Sequence, residues 1–418
     1  MALIIALAGS ALRAEDWPQW RGVNRDGVWH EAEALIGEKG GGMPVLWRVA
    51  AGPGWSSPII ADGRVYLTDV EMKPPESIER VRCFDEITGE VLWTHGIRRV
   101  YPDWALQPGQ ENGPTATPVL ADGRLYTIGP FGDAACLDAV TGKPVWERAL
   151  GKDYEIKEMS VRGSPLIEGG RLILAIGGKP GACLLALDKA TGKEVWHALD
   201  EDIHNSSPIA ITAAGRRQIV IWTQQSVSAL NPVNGAVLWR ERLLTDSNNG
   251  TSTPVWDQDR LLISGLMFKL GTNKPGASVI WPDTRSLSHR VLSNTSTPLL
   301  IRDLIFSARS AGALVCLDAK TGKELWSREG VTSKGSGAAI HLTANGGTVL
   351  LYNDQGEVIR ARLSAAGYEE ISRATILEPD LPFGGRKVAW SAASYANGKV
   401  FARSHRELVC ATLAAQGK

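Results

Sequence analysis

The stretch "LDAVTGKPVW" at residues 137–146 recurs as "LDKATGKEVW" at 187–196 and as "LDAKTGKELW" at 317–326. Followed along the chain, the pattern has five copies: "CFDEITGEVLW" from Cys83, "CLDAVTGKPVW" from Cys136, "ALDKATGKEVW" from Ala186, "ALNPVNGAVLW" from Ala229 and "CLDAKTGKELW" from Cys316. Each sets an apolar run, a Gly-bearing turn and a Trp-bearing run in a row, which reads as a β-hairpin. Asp138 and its equivalents stand where a short acceptor satisfies turn backbone ahead of the Gly.

A second signal precedes each copy: "WSSPIIADGRVYL" at 55, "TATPVLADGRLYT" at 115, "RGSPLIEGGRLIL" at 162, "NSSPIAI" at 205, "TSTPVWDQDRLLI" at 251 and "TSTPLLIRDLIFS" at 295. Weaker forms follow at 335 and 390. The eight anchor positions are Pro58, Pro118, Pro165, Pro208, Pro254, Pro298, Ala338 and Ala393, spaced 40 to 60 residues apart. That spacing is one four-stranded propeller blade. The fold expected is therefore all-β: an eight-bladed β-propeller of four-stranded blades.

Pro at the start of an innermost strand gives up a donor that need not be paired and extends the residue before it. The "ADGR" and "EGGR" tetrads supply the first hairpin of each blade. Trp93, Trp146, Trp196, Trp239 and Trp326 share one position of the outermost strand, where each ring covers about 200 Å² against the next blade. They read as structural seals. The C-terminal "ELVCATLAAQGK" matches the start of a copy but stops before any Trp, while "PVLWRVA" at 44 carries an unattached Trp47. The N-terminal strand is thus expected to close the last blade and remove an exposed sheet edge.

Lys plus Arg and Asp plus Glu are equal at 45 each, so no net field draws the chain to nucleic acid. Residues 1–14 are expected to be a signal peptide, apolar, too short to span a bilayer and ending in small residues. Residues 15–43 are expected to form an N-terminal arm and 44–418 a single propeller. This places the protein in the periplasm or outside the cell, with no transmembrane span in the mature chain.

The Asp, Thr-Gly and Trp spacing resembles the pyrroloquinoline-quinone (PQQ)-type repeat, with its tryptophan-docking motif, over the whole mature chain. The leader "DWPQWRGVNRDGV" at 16–28, followed by "PVLWRVAAGPGWSSPIIADGRVYL", resembles the exported propellers similar to BamB, the B component of the outer-membrane β-barrel assembly machinery. The resemblance implies a scaffold that engages an envelope or outer-membrane protein. The repeat itself is architecture, and function must come from sites.

Cys83, Cys136, Cys316 and Cys410 occupy one repeat position, Ala186 and Ala229 in other copies, so the slot reads as small and buried. Cys183 lies off that register. The His residues at 30, 95, 197, 204, 289, 341 and 405 show no zinc-site spacing, and no metal is expected. "GEKGGG" at 37 lacks the ending of a phosphate loop and reads as a flexible link, and no nucleophile elbow occurs.

The remaining candidate is the funnel at the mouth where the innermost strands begin: Trp55, Asn112, Arg162, His204, Asn205, Asn249, Asn294, Lys334 and Trp390. These could surround a small anionic or planar ligand, with Arg162 and Lys334 as charge partners and the Trp rings as stacking faces. They read equally as polar groups satisfying backbone around a pore. In the resemblance, a quinoprotein dehydrogenase would set Glu, Asn and Asp around calcium beside the quinone here, but Glu111, Asp202 and Asp246 are only near. The expectation is a non-catalytic scaffold with no cofactor. The alternatives are a dehydrogenase or relic holding PQQ with calcium, and a carbohydrate binder using Trp55, Trp104 and Trp390.

Overall fold

The computed structural model describes residues 14–31, 43–107, 109, 111–243, 250–282, 292–293 and 295–413. Eight sheets of four antiparallel strands follow one another as blades. Blade 1 is formed by Ile59–Ala61, Arg64–Lys73, Glu76–Asp85 and Val91–Val100. Blades 2 to 7 span 119–149, 166–198, 209–242, 255–281, 299–328 and 340–375.

Blade 8 takes three strands, Ser394–Ala396, Lys399–Arg403 and Glu407–Thr412, from the C-terminal end. Its outermost strand is Val45–Ala50, antiparallel to Glu407–Thr412 with Trp47 opposite Cys410. The chain thus closes its own ring, as the unattached Trp47 predicts.

The repeat positions act as the sequence requires. Asp62 and Gly63 both hold positive φ, 52° and 71°, in the two-residue turn that right-twisted strands favour. Asp138 Oδ1 accepts from Thr141 N at 3.0 Å and from its hydroxyl at 2.9 Å, with the same pattern at Asp85, Asp188 and Asp318. These bonds stiffen the second hairpin.

All of the repeat Trp residues but Trp239 dock on the following blade. Trp93 Nε1 donates to Ala139 O at 3.1 Å, Trp146 to Lys189 O at 3.0 Å and Trp196 to Pro232 O at 3.0 Å. The partner turn must present a Gly because the ring lies against it: a Cβ on Gly142 would fall 2.5 Å from Trp93. Trp281 does the same to Ala319 O at 2.9 Å and Gly322, although blade 5 lacks the Asp-x-x-Thr-Gly motif and only "VIW" at 279–281 marks it. Blade 5 offers no such turn to Trp239, whose Nε1 instead bonds Gln218 Oε1 at 2.9 Å within its own blade.

The shared slot lies opposite the Trp across the hairpin: Cys83 faces Trp93, Cys136 faces Trp146, Ala186 faces Trp196 and Cys316 faces Trp326. A small side chain there leaves room for the ring. All five cysteines are buried free thiols.

Candidate functional site

The leader does not lie outside the ring. Trp17 exchanges two backbone hydrogen bonds with Ile60 in blade 1, at 2.8 and 3.0 Å, and Leu120 N of blade 2 donates to Pro18 O at 2.9 Å. Trp20 Nε1 reaches Thr253 Oγ1 of blade 5 at 2.9 Å. Arg25 reaches the carbonyls of Pro165 and Ser164 at the start of blade 3, at 2.7 and 3.2 Å. Val28–Trp29 then runs parallel to Ile340–Asn345, on the inner edge of blade 7.

These partners belong to, or immediately precede, the innermost strands of five blades, so the arm is a hairpin loop inserted in the central channel. Its two ends meet at the lower face, where the first hairpin turns lie. There the Glu31 carboxylate accepts from Glu15 N at 2.8 Å and from Asn397 N and Gly398 N of blade 8 at 2.6 and 2.9 Å. Its tip extends toward the upper face, where the innermost strands begin. The expected arm at 15–43 is thereby refined: residues 14–31 fill the ring. The link at 37–42 lies outside the described residues, as do residues 1–13 of the segment 1–14 expected to be a signal peptide.

The tip turns sharply through "QWRGVNRDG" at 19–27. Arg21 and Arg25 hold positive φ, 63° and 60°, a conformation that costs an L-residue with a side chain and persists only where the surroundings over-determine it. Both guanidiniums are buried. Burial pulls Arg21 down to about 10 and Arg25 to about 9, the positive charge of Arg21 adding to the second shift. His341, beside them, is pushed down to about 4 by burial and is neutral. Its Nε2 donates to Trp390 O at 2.8 Å.

Trp55, Trp390, Arg162, Lys334 and His204 are each tied to local partners. Trp55 meets the His405 ring edge-on with centroids 5.4 Å apart. Trp390 donates to Gly337 O at 2.8 Å and packs edge-on against Phe383 at 4.6 Å. Arg162 Nε donates to Met159 O at 3.2 Å, and burial lowers its pKa. Lys334 is exposed and pairs with Glu329 at 2.8 Å. His204 is buried, its ring 4.5 Å from that of Trp222, and accepts from Gly250 N at 3.3 Å. Asn112 and Asn205 are half-buried. Asn249 and Asn294 lie outside the described residues.

Four buried carboxylates, Asp69, Asp133, Glu201 and Asp354, are bound up in ion pairs with guanidiniums, whereas buried Glu79 accepts from Tyr101 OH. Asp69 takes Arg80 Nε at 2.7 Å and Gly52 N at 2.8 Å. Burial alone would raise its pKa, and these bonds hold it below the usual range. Asp354 pairs with Arg386 at 3.0 Å, Asp133 with Arg99, and Glu201 with Arg240 while accepting from Thr223 and Ser226. Glu201, one residue before Asp202, is the buried acid at this linker and was not among the acids the sequence singled out. Among the described residues no group of three or more His, Cys, Asp or Glu is placed to hold a metal.

A ring of eight blades, six of them docked on the next through a Trp, with a filled channel defines the class: a PQQ-type β-propeller. The chain belongs to the family described as "Outer membrane protein assembly factor BamB", whose profile matches residues 77–328. It is 22% identical to the assembly factor BamB of Shewanella oneidensis over 331 residues, 75% of this chain and 79% of that protein. It is 30% identical to the quinoprotein alcohol dehydrogenase PedH of Pseudomonas putida over 167 residues, only 27% of that enzyme. Two solved structures share the fold. BamB from Moraxella catarrhalis superposes with a TM-score of 0.56 at 16% identity, covering 88% of this chain and 99% of that one. The quinohemoprotein alcohol dehydrogenase of Comamonas testosteroni gives 0.67 at 14% identity, covering 98% and 82%.

Proposed function

We propose that this protein is an exported, non-catalytic propeller that serves the assembly of outer-membrane proteins by engaging an envelope partner through its surface loops. The observation that carries the reading is the channel: the protein's own arm occupies the space that a ligand in the ring would need. The donor set supports it as well. The buried carboxylates Asp69, Asp133, Glu201 and Asp354 are each committed to a guanidinium, and the groups the arm brings into the channel are the cations Arg21 and Arg25. This does not fit the acidic set that calcium beside a quinone requires, and no redox step is assigned.

Family membership supports the assembly role and, with it, an exported location. No helix among the described residues is long and apolar enough to cross a membrane. The test is the outer-membrane protein content of cells lacking this chain. The account expects lowered levels of folded β-barrel proteins, restored by the wild-type chain; unchanged levels would contradict the role.

A further inference from the structure

Beside the arm, inside the ring, lies an enclosed cavity of about 20 Å³. Its lining includes Arg21, Ser57, Thr297 and His341, with Trp17 and Trp20 closing it on the arm side. A space of this size admits one water-sized particle and excludes phosphate or sulfate.

The charge around it is one-sided. Arg21 donates to the carbonyls of Arg25 and Asp26 at 3.4 and 2.8 Å, and Arg25 to those of Pro165 and Ser164. Neither makes an ion pair among the described residues. The Asp26 carboxylate, whose field reaches Arg21, is turned to Val28 N at 3.0 Å. One polar atom of the lining, Ser57 Oγ, is buried without a hydrogen-bond partner. Buried charge without a counter-charge is costly, and native structures pair it. His341 is neutral and offers no negative charge.

We propose that this cavity is a binding site for one monatomic anion of the halide class, held between the Arg21 guanidinium and the Ser57 hydroxyl. The anion neutralises the arm's tip and so ties the arm to blade 1. Ser57 leads into the innermost strand of that blade through Pro58; its N–H is taken by Thr117 Oγ1 at 2.9 Å, while its buried hydroxyl has no protein partner. The inference stands independently of the assembly role.

The direct test is an anomalous difference map from crystals of the full chain grown in sodium bromide, paired with thermal melts in sodium chloride, bromide or gluconate at equal ionic strength. The expected result is a bromide peak in contact with Arg21 and Ser57, and a melting temperature higher in either halide than in gluconate. The halide-specific part should vanish in Arg21→Met and weaken at least tenfold in apparent affinity in Ser57→Ala. The second variant keeps the test open if Arg21→Met does not fold, because Ser57 Oγ holds no protein partner. A cavity without anomalous signal, and melts that follow ionic strength alone, would overturn the proposal.

Discussion

Trp47 lies against Gly89: its Nε1 donates to Glu86 O at 3.0 Å, and a Cβ on Gly89 would stand 2.8 Å from the ring. This contact carries the N-terminal strand of blade 8 onto the turn between the last two strands of blade 1, so one indole joins the two ends of the ring. It repeats across the closure what Trp93 does to Gly142 inside the ring.

Trp47→Ala should therefore cost as much as truncating an internal docking Trp, about 3 to 5 kcal/mol. Gly89→Ala should also destabilise, since it forces a side chain into the ring at a φ of 75°. Urea unfolding measures both. A loss under about 1 kcal/mol in Trp47→Ala would show that the closing strand contributes little.

The arm makes a local prediction. The amides of Ile60, Leu120 and Ala344 donate to Trp17 O, Pro18 O and Gly27 O, whereas their neighbours pair within blades. Removing residues 1–31 should expose these three to hydrogen exchange while Tyr66 and Tyr126 amides in the blade interiors stay protected. Uniform loss would mean that the ring cannot stand without the arm, and no change would mean that the arm is not in the channel.

Five buried thiols should be silent in the folded protein. Burial pushes Cys83, Cys183 and Cys410 up to about 12 and Cys316 to about 11, so almost no thiolate exists at pH 8. A thiol reagent should titrate none in native protein and all five in denaturant. Fast native reaction of Cys83, Cys136, Cys316 or Cys410 would contradict the packing opposite the docking Trp residues, and of Cys183 its burial.

Stability should respond to Glu79, whose carboxyl burial raises to about 8 against a hydrogen bond from Tyr101 OH at 3.1 Å. The unfolded chain releases this proton near pH 4.5 and the folded chain near 8. Stability from this group is therefore complete below pH 4.5 and falls across 4.5 to 8, at up to about 1.4 kcal/mol per pH unit. His341 and His405, both pushed down to about 4 by burial, act oppositely, adding stability as pH rises from 4 to 6.5. The clean readout is the difference between wild type and Glu79→Gln: relative to the variant, wild type should lose stability from pH 5 to 8. A constant difference would place the charge elsewhere.

The blades were legible because each repeats one solution to one packing problem. Asp138, Gly142 and Trp146 have to recur wherever a ring must lie on a Gly turn, and Trp47 without a partner announced the closure. Trp281 was harder to see because blade 5 reaches the same dock without the turn motif that usually precedes it. The arm was legible only as something the repeat did not explain. The leader "DWPQWRGVNRDGV" has no period, and its partners include Thr253, Pro165 and Ala344, 140 or more residues away, so nothing local reveals that it enters the ring. For the same reason the funnel residues could be located by position, while the partners that occupy them, such as His405 on Trp55 and Phe383 on Trp390, could not.

The central claim is that the arm, rather than a redox cofactor, occupies the channel. Thermal melts of the full chain with pyrroloquinoline quinone plus calcium test it most directly, since a ligand at a hundred times its dissociation constant adds about 2.7 kcal/mol. The account predicts an unchanged melt. A calcium-dependent rise that disappears in Arg162→Ala would contradict it and make the upper mouth a quinone site.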